Sequence, residues 1–241
     1  MKRIYLTLLS FALLGLSSCM GIDNYDEPNC RFYGNVVDTY TEKNILASQD
    51  GFKIRIWERS WTKGTLVYQD LSVKQDGSYN DTKLFAGTYD MLPYGGAFWP
   101  ADTVKNVKLD GTTEQDFKVT PYLQILDFKA VLDGTNLVIS CRLKAPKTAG
   151  LPDLREIMPF VSLTQFCGNT NYINIGEYTD ARLTINKSWA DEVGTSDTSK
   201  VYTLAPIPVK SGYTYYVRVG AAVNDSFNNY NYSEIQQISV P

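Results

Sequence analysis

The sequence predicts an all-β fold built as two tandem β-sandwich domains. Apolar and polar residues alternate in short segments, most clearly over residues 52–57 and 137–144, as in strands with one buried face and one wet face. Helical periodicity is scarce. Asp-Gly pairs, which favour the positive-φ turns of tight hairpins, recur at Asp50-Gly51, Asp76-Gly77, Asp110-Gly111 and Asp133-Gly134. The length of 241 residues is ordinary for two domains, so these patterns predict sandwiches over most of the chain.

A signal peptide is predicted over residues 1–18. Two basic residues precede an apolar run over residues 4–16, which is shorter than the roughly 20 residues that a membrane-spanning helix needs. The run leads into a motif that resembles the bacterial lipobox, Leu16-Ser17-Ser18-Cys19. The cysteine of such a motif is acylated and becomes the first mature residue, so we expect lipidation of Cys19 and an acylated, polar leash over residues 19–29. A plain secretory signal with an incidental cysteine is the alternative.

The first sandwich is predicted over residues 30–120. Its motifs are Gly34-Asn35-Val36-Val37-Asp38, Asp76-Gly77-Ser78-Tyr79 and Leu84-Phe85-Ala86-Gly87-Thr88-Tyr89. Two of the glycines stand where chain reversals need a positive φ or a missing Cβ, and the tyrosines begin or end strands that bury an aromatic ring. These motifs resemble the prealbumin-like, carboxypeptidase-regulatory-like sandwich, which implies a structural or docking module without catalysis.

The second sandwich is predicted over residues 121–241, after a boundary at Thr120-Pro121. Residues 212–221 resemble strand F of a fibronectin type III domain, and Tyr215 stands where the tyrosine corner of such immunoglobulin-like sandwiches falls. Residues 230–240 would then form the closing strand. Because the connection between the domains is so short, we expect them to rest on each other, with a cleft between them as one place for a ligand.

The two modules behind a lipobox resemble a known lipoprotein family of the Bacteroidetes. Two further segments carry the resemblance, Asp23-Asn24-Tyr25-Asp26-Glu27-Pro28 and Val119-Thr120-Pro121-Tyr122. The family is of unknown function, the domain-of-unknown-function 3823 type. The resemblance implies a lipid anchor in the outer membrane, on the cell surface or on the periplasmic face. It also implies, as partners, an outer-membrane transporter and neighbouring lipoproteins of a polysaccharide-uptake system, and it supplies no catalytic residues.

Three cysteines remain once Cys19 is assigned to the lipid, which is an odd number for an exported protein. Cys141 shares a predicted strand face with apolar residues, and Cys167 follows Val161 and Leu163 at even spacing, so both are expected in one core. Buried thiols are the favoured state, and a Cys141–Cys167 disulfide is the alternative. Neither a Cys-x-x-Cys spacing nor a histidine occurs, so no metal and no cofactor is expected.

Composition excludes several classes of function. A chain without histidine has no serine or cysteine triad of the usual kind and no helical zinc-protease motif. With 23 basic and 26 acidic side chains and no polybasic run, nucleic acid and anionic headgroups are not expected partners. No carboxylate pair stands in a recognisable catalytic motif, so the sequence does not predict an enzyme.

Aromatic and amide side chains point to glycans as ligands. Aromatic rings cover the C–H faces of sugars, while amides and carboxylates bind their hydroxyl groups. The chain has 17 Tyr and 4 Trp. The candidate contacts are Phe227, Asn228, Asn229, Tyr230 and Tyr232 in the loop before the closing strand, together with Trp57, Trp99 and Trp189. Turn formation and packing against the core or the partner domain are the alternative roles for these residues.

The sequence therefore predicts a non-catalytic outer-membrane lipoprotein that binds a polysaccharide or oligosaccharide, or serves as an accessory component of a polysaccharide-uptake system. A structural scaffold or a pilin-like adhesin without a small ligand is the alternative. A hydrolase is a third possibility, which turnover of a polysaccharide would establish.

Overall fold

A computed structural model describes residues 27–61 and 63–241 of the chain. Cys19, the expected lipidation site, lies outside the described residues. The elements of the first sandwich are β1 (Cys30–Asp38), β2 (Lys53–Glu58), β3 (Tyr68–Ser72), β4 (Ser78–Leu84), β5 (Gly87–Tyr94), β6 (Val104–Leu109), β7 (Thr112–Glu114) and β8 (Phe117–Val119). No helix in the described part of the chain is long and apolar enough to cross a membrane.

The second sandwich follows directly. Its elements are β9 (Gln124–Asp133), β10 (Asn136–Lys144), β11 (Leu154–Ser162), α1 (Gly176–Thr179), β12 (Leu183–Lys187), α2 (Trp189–Glu192), β13 (Tyr202–Thr203), β14 (Ile207–Pro208), β15 (Thr214–Val223), β16 (Tyr230–Tyr232) and β17 (Gln236–Ser239). The predicted all-β fold with two sandwiches is confirmed.

The first sandwich packs a mixed sheet against an antiparallel one. β4 pairs along one edge of β1, and the short strands β7 and β8 run parallel to β1 along its other edge. The second sheet has the antiparallel order β3-β2-β5-β6. Phe32 and Val36 of β1 meet Ile54, Ile56 and Met91 of the second sheet in the core. The predicted alternation over residues 52–57 is confirmed, because Lys53, Arg55 and Trp57 face outward from β2.

The second sandwich has the sheet pattern of a fibronectin type III domain. β9 pairs along one edge of β10, and β13 and β14 follow one another along the other edge. The facing sheet has the order β12-β11-β15, completed by β16 and β17 along β15. Tyr215 is buried and its hydroxyl accepts a hydrogen bond from the Lys210 backbone N–H at 3.1 Å, as in a tyrosine corner.

The predicted closing strand is present as two pieces rather than one. β16 and β17 both pair with β15, and residues 233–235 separate them. The Ser233 side chain accepts a hydrogen bond from the Val219 backbone N–H at 3.1 Å, so a side chain replaces a ladder bond at the break. The interruption lets the strand bend while its backbone partner stays satisfied.

The Asp-Gly pairs occur in different kinds of turn. Gly134 takes a φ of 59° in the two-residue loop between β9 and β10, so this pair forms the expected hairpin. Gly77 and Gly111 also have positive φ, but each precedes a strand of the opposite sheet. At Asp50-Gly51 the aspartate, with a φ of 62°, takes the left-handed conformation. The expectation of four hairpins was therefore wrong in three places, because a positive-φ turn also serves crossings between sheets.

Cys141 and Cys167 are free, buried thiols in two different clusters. Cys141 lies in the core of the second sandwich, whereas Cys167 lies on the opposite face of the β11–β15 sheet beside Met158 and Phe160. The expectation of a shared core was wrong because β11 ends at Ser162, and the turn that follows breaks the even spacing. Burial raises the pKa of each thiol to about 12.

The sheet of β11 and β15 is buried on both faces because the first sandwich covers its outer one. Arg218 of β15 is 1% exposed, and its Nη1 donates to the backbone carbonyls of Ala47 at 2.9 Å and Cys167 at 3.0 Å. Two backbone contacts join the domains near their connection. A β-bridge pairs Phe98 with Pro121, and the Tyr122 N–H donates to the Ala97 carbonyl at 3.1 Å. The two domains thus meet through packed and hydrogen-bonded contacts.

Candidate functional site

The outer face of the β3-β2-β5 sheet carries a group of aromatic and charged side chains. Alternation in β2 turns Arg55 and Trp57 away from the core. In the register of the sheet, Arg55 lies opposite Asp70 of β3 and Trp57 lies opposite Tyr68. On the other side, Tyr94 of β5 lies opposite Lys53. Side chains that are distant in the sequence therefore share one surface.

Arg55 lies at the centre of this surface. Its Nε and Nη2 donate to the two carboxylate oxygens of Asp70, both at 2.8 Å. The guanidinium carbon lies 3.7 Å from the ring centre of Tyr68 and 3.8 Å from that of Tyr94. The hydrogen bond with Asp70 raises the pKa of Arg55 above its usual value. A guanidinium held by a bidentate carboxylate and two aromatic rings is fixed in position before any ligand arrives.

One further aromatic ring extends the surface at each end. Trp57 meets Tyr68 with ring centres 6.5 Å apart and planes at 69°, and Phe227 of the second sandwich meets Tyr94 at 5.1 Å and 75°. We name Trp57, Tyr68, Tyr94 and Phe227 the aromatic row. Tyr68 is 52% exposed and Phe227 is 43% exposed, while Trp57 and Tyr94 are half-buried. The row therefore presents apolar ring surface from both domains to solvent.

Hydrogen bonds within its own loop hold Phe227 in position. The carboxylate of Asp225 accepts hydrogen bonds from the backbone N–H groups of Phe227 at 3.2 Å and Asn228 at 2.8 Å. Asn228 has a φ of 56°, a conformation that asparagine tolerates better than most residues. Its side-chain oxygen accepts a hydrogen bond from Arg155 at 2.6 Å. Asn228 is exposed, but it shapes the loop that carries Phe227.

The next two residues of the chain, Asn229 and Tyr230, make contacts within the protein. The Asn229 side-chain amide donates to the carbonyl of Gly51 at 2.9 Å and also to that of Gly95, both in the first sandwich. Tyr230 packs on Phe160 and donates its hydroxyl proton to Glu156. The proposed contact role of Asn229 is thus corrected, because its amide protons are taken up between the domains.

Tyr232 and Trp189 are buried, at 9% and 4% exposure, so neither presents a ring to a ligand. The guanidinium of Arg218 covers the ring of Tyr232 at 3.8 Å. The indole of Trp189 points into the second core from the start of α2 and donates to the Ser196 carbonyl at 2.8 Å. Trp189 was misassigned because a short helix turns this residue inward from a polar stretch, and Tyr232 because the partner domain covers it.

Trp99 lies at the joint between the domains. It is half-buried, packs against the second core and meets Tyr122 with ring centres 5.3 Å apart. The Lys147 ammonium lies 4.3 Å from its ring centre. These contacts favour a packing role. The structure brings together Trp57 and Phe227 from the sequence-predicted set and leaves Trp99 and Trp189 apart from them.

Sequence reasoning missed Arg55, Tyr68, Asp70 and Tyr94 as members of a site. The alternating pattern does show that Arg55 faces outward, but the partners come from two other strands. Only the register of the sheet places them beside Arg55. Trp61, which is well exposed, was also missed, and its indole donates to the Ala86 carbonyl at 3.2 Å.

A separate groove of about 220 Å³ lies between the domains, where a cleft was expected. Asp38, Lys43, Gln124 and Glu234 are among its lining residues. The Gln124 amide donates to the Asp38 carboxylate at 2.6 Å across the joint. This groove contains no aromatic row. Among residues 27–61 and 63–241, no group of three or more acidic or cysteine side chains could hold a metal ion.

Solved structures share this two-domain architecture. A candidate carbohydrate-binding protein from Bacteroides uniformis is 25% identical, with a TM-score of 0.70 over 88% of this chain and 100% of its own. A DUF3823 family protein from the same species is 21% identical, with a TM-score of 0.70 over 89% and 100% of the two chains. Another from Parabacteroides merdae is 21% identical, with a TM-score of 0.67 over 89% and 100%. No curated protein matches the chain.

Family models cover nearly all of the described residues. The N-terminal domain of the protein of unknown function DUF3823 matches residues 30–120. The C-terminal domain of unknown function, DUF3823_C, matches residues 123–237. Each of the two sandwiches therefore has its own family model, and the chain belongs to the DUF3823 family.

Proposed function

We propose that this protein is a non-catalytic glycan-binding lipoprotein, anchored in the outer membrane through Cys19, and that the aromatic row is its contact surface. The single observation that carries the proposal is the row itself, four rings from two domains arranged around a fixed Arg55–Asp70 pair. The candidate carbohydrate-binding protein that shares the fold at 25% identity supports the same class of ligand. In this role the protein would deliver polysaccharide to an outer-membrane transporter with neighbouring lipoproteins.

The chemistry of the surface suits sugars. Exposed ring surface excludes water from the C–H faces of pyranoses, and the quadrupole of each ring attracts their polarised C–H bonds. The Asp70 carboxylate accepts two hydrogen bonds from Arg55 and keeps lone pairs for hydroxyl groups. Because the partners of Arg55 already fix its position, binding requires little ordering of this side chain.

Affinity measurements on matched variants test the proposal. The mature chain, with Cys19 replaced by Ser, is screened by retardation in native gels containing soluble polysaccharides, and hits are measured by calorimetry. Trp57→Ala and Phe227→Ala should each lower affinity about tenfold, which corresponds to the loss of one ring contact. Phe85→Ala and Tyr213→Ala are the controls, because these rings are 47% and 49% exposed outside the row. Equal loss in the controls, or no binding by the parent chain, contradicts the proposal.

The anchor is tested separately. Mass spectrometry of protein from the membrane fraction should find acyl chains on Cys19 as the first residue, because more than one chain is needed for stable anchoring. Cys19→Ser should release the protein from the membrane, and surface exposure is then measured by adding protease to intact cells. Retention of the Cys19→Ser protein in the membrane would contradict the anchor.

A second candidate function is a scaffold that holds another outer-membrane protein. An apolar groove of about 310 Å³ in the second sandwich favours it, with Leu163, Ile175 and Tyr213 about half exposed along its walls. Exposed apolar groups of this kind often mark contacts between proteins. Leu163→Asp should then abolish co-purification with the transporter and leave retardation by polysaccharide unchanged.

A further inference from the structure

We infer that the ligand of the aromatic row is a single, neutral, soluble glycan chain that runs obliquely along the sheet and contacts both domains. This inference rests on the proposed function and specifies the class of its ligand. Three features of the surface carry it: the tilt of the rings, the pairing of the charges and the position of Phe227.

The tilt of the rings excludes a crystalline surface. A flat polysaccharide crystal requires coplanar rings, so that several can lie on one plane at once. The planes of Trp57 and Tyr68 differ by 69°, and those of Tyr94 and Phe227 differ by 75°. A single chain can turn its successive sugar rings to follow such tilts, whereas the face of a crystal cannot.

The pairing of the charges favours a neutral chain. Arg55 is bonded to Asp70 at 2.8 Å, Arg59 lies 3.7 Å from Asp90, and Lys53 is bonded to Asp50. A carboxylate therefore already pairs with each of Lys53, Arg55 and Arg59. A uronic acid or a sulfated sugar would have to compete with these carboxylates and would meet their negative charge. Uncharged hydroxyl groups can instead bind the free lone pairs of the same carboxylates.

The direction of the row sets the path of the chain. Tyr68, Arg55 and Tyr94 lie on three neighbouring strands, and strands in a sheet are about 4.8 Å apart. Tyr94 lies opposite Lys53, four residues along β2 from Trp57, and a strand rises about 3.3 Å per residue. The line from Trp57 to Phe227 therefore runs obliquely, further along the strands than across them, and is longer than one sugar. A ligand that follows it contacts the second domain only through Phe227 and its loop.

The domain interface fixes the position of Phe227. Asn229, two residues after Phe227, donates to the carbonyls of Gly51 and Gly95 in the first sandwich. The position of Phe227 relative to Tyr94 thus depends on the interface. A long chain that uses the whole row should need Asn229, whereas a short oligosaccharide bound at Trp57 and Tyr68 should not.

The ligand class is tested with defined polysaccharides at low and moderate salt. The neutral soluble probes are konjac glucomannan, barley mixed-linkage glucan, pullulan and inulin, the acidic probes are polygalacturonate and heparin, and the crystalline probes are cellulose and chitin. We expect retardation by at least one neutral probe, with affinity lowered about tenfold by Trp57→Ala and by Phe227→Ala. Co-sedimentation with a crystalline probe, or salt-sensitive retardation by an acidic probe alone, would overturn the inference while leaving glycan binding intact. No retardation by any probe would overturn the proposed function itself.

Two further variants sharpen the test. Asp70→Asn removes the negative partner of Arg55, so weak, salt-sensitive retardation by polygalacturonate should appear where the parent chain shows none. Asn229→Ala should weaken binding of the neutral polysaccharide several-fold and leave binding of its trisaccharide unchanged, and Asn224→Ala in the same loop is the control. Equal effects of Asn229→Ala on the polysaccharide and the trisaccharide would contradict a chain that spans both domains.

Discussion

Arg218 carries a positive charge into a site that solvent barely reaches. Its Nη1 binds the carbonyls of Ala47 and Cys167, its guanidinium covers Tyr232, and its Nε and Nη2 have no hydrogen-bond partner among the described residues. Burial lowers its pKa to about 10. The residue remains charged at neutral pH, and backbone carbonyls and an aromatic face rather than a carboxylate stabilise the charge.

Substitution of Arg218 tests how much this contact contributes. Arg218→Ala leaves two buried carbonyls without partners and opens a cavity, so we expect the free energy of unfolding to fall by about 3 kcal/mol. Arg218→Met keeps the packed volume and removes the buried charge, so its cost should be clearly smaller. Urea denaturation measures both values. Equal costs for Ala and Met would show that packing around this side chain contributes little.

The buried thiols and tyrosines predict loss of stability in alkali. Burial raises the pKa of Cys141 and Cys167 from 9.0 to about 12, and that of Tyr89 from 10.0 to about 12. The unfolded chain therefore releases these protons at lower pH than the folded chain does. The stability contributed by these groups is complete below about pH 9 and is lost as the pH rises to 12. Denaturation midpoints across this range check the prediction, and a smaller decline in Cys141→Ala would assign part of it to that thiol.

Turns determine which sheet each strand joins, and glycine makes two of these turns possible. Gly77 has a φ of 80° ahead of β4, and a Cβ there would approach the carbonyl oxygen of Ile45 to 2.5 Å. Gly111 has a φ of 69° ahead of β7, and a Cβ there would meet no atom within 4 Å. The two turns need the same backbone conformation, but only the first is crowded.

Alanine substitutions at Gly77 and Gly111 distinguish the cost of backbone strain from the cost of a steric clash. Gly111→Ala should cost only the left-handed strain of an L residue, about 1–2 kcal/mol. Gly77→Ala adds a clash with rigid backbone, so its cost should be larger by at least 1 kcal/mol. Thermal or urea unfolding of the two variants measures the difference. Similar costs at the two positions would mean that the Ile45 segment moves aside without penalty.

The two sandwiches are joined closely enough to behave as one unit. Asn231 bridges them, because its amide donates to Ala97 O at 2.8 Å and its oxygen accepts from Leu123 N at 3.0 Å. Met158, Phe160, Cys167 and Tyr232 form a cluster on the sheet face that the first sandwich covers, and Leu46 of the first sandwich packs against it. Contacts of this kind couple the stability of one domain to that of the other.

Calorimetry should therefore record one unfolding transition for the parent chain. Asn231→Ala removes both hydrogen bonds and leaves the buried Leu123 N–H unpaired, at a cost of about 1–3 kcal/mol, whereas the Ala97 carbonyl keeps its bond from Tyr122 N. We expect the transition to shift to lower temperature and to split as the domains uncouple. Ser226→Ala, at an exposed position of the loop before β16, is the control. Two transitions in the parent chain would contradict the coupling.

Local patterns were enough to predict the fold class from the sequence. Alternation in β2 and β10 and the tyrosine corner at Tyr215 depend on neighbouring residues, and each appears as expected. The parallel pairing of β1 with β7 and β8 has no comparable local signal, because parallel partners are joined by long connections.

The candidate site could be predicted only in part, for the same reason. The sequence indicates that Trp57 faces outward and that Phe227 lies in a loop, but Tyr68 and Tyr94 join them through the register of the sheet. The asparagines of the last loop have the composition of a binding loop, yet Asn229 and Asn231 bind the partner domain. Composition alone does not distinguish a loop that contacts a ligand from one that contacts a neighbouring domain.

The loop that carries Phe227 also joins the two domains, which has a consequence for engineering. Randomising Asn229 or Asn231 to retune specificity would damage folding before any new ligand was sampled, since both amides hold the interface. Tyr68 on the edge strand β3 makes no contact with the second domain and is exposed. A library of binding variants would therefore retain most folded members if its diversity were confined to β3, with the last loop left unchanged.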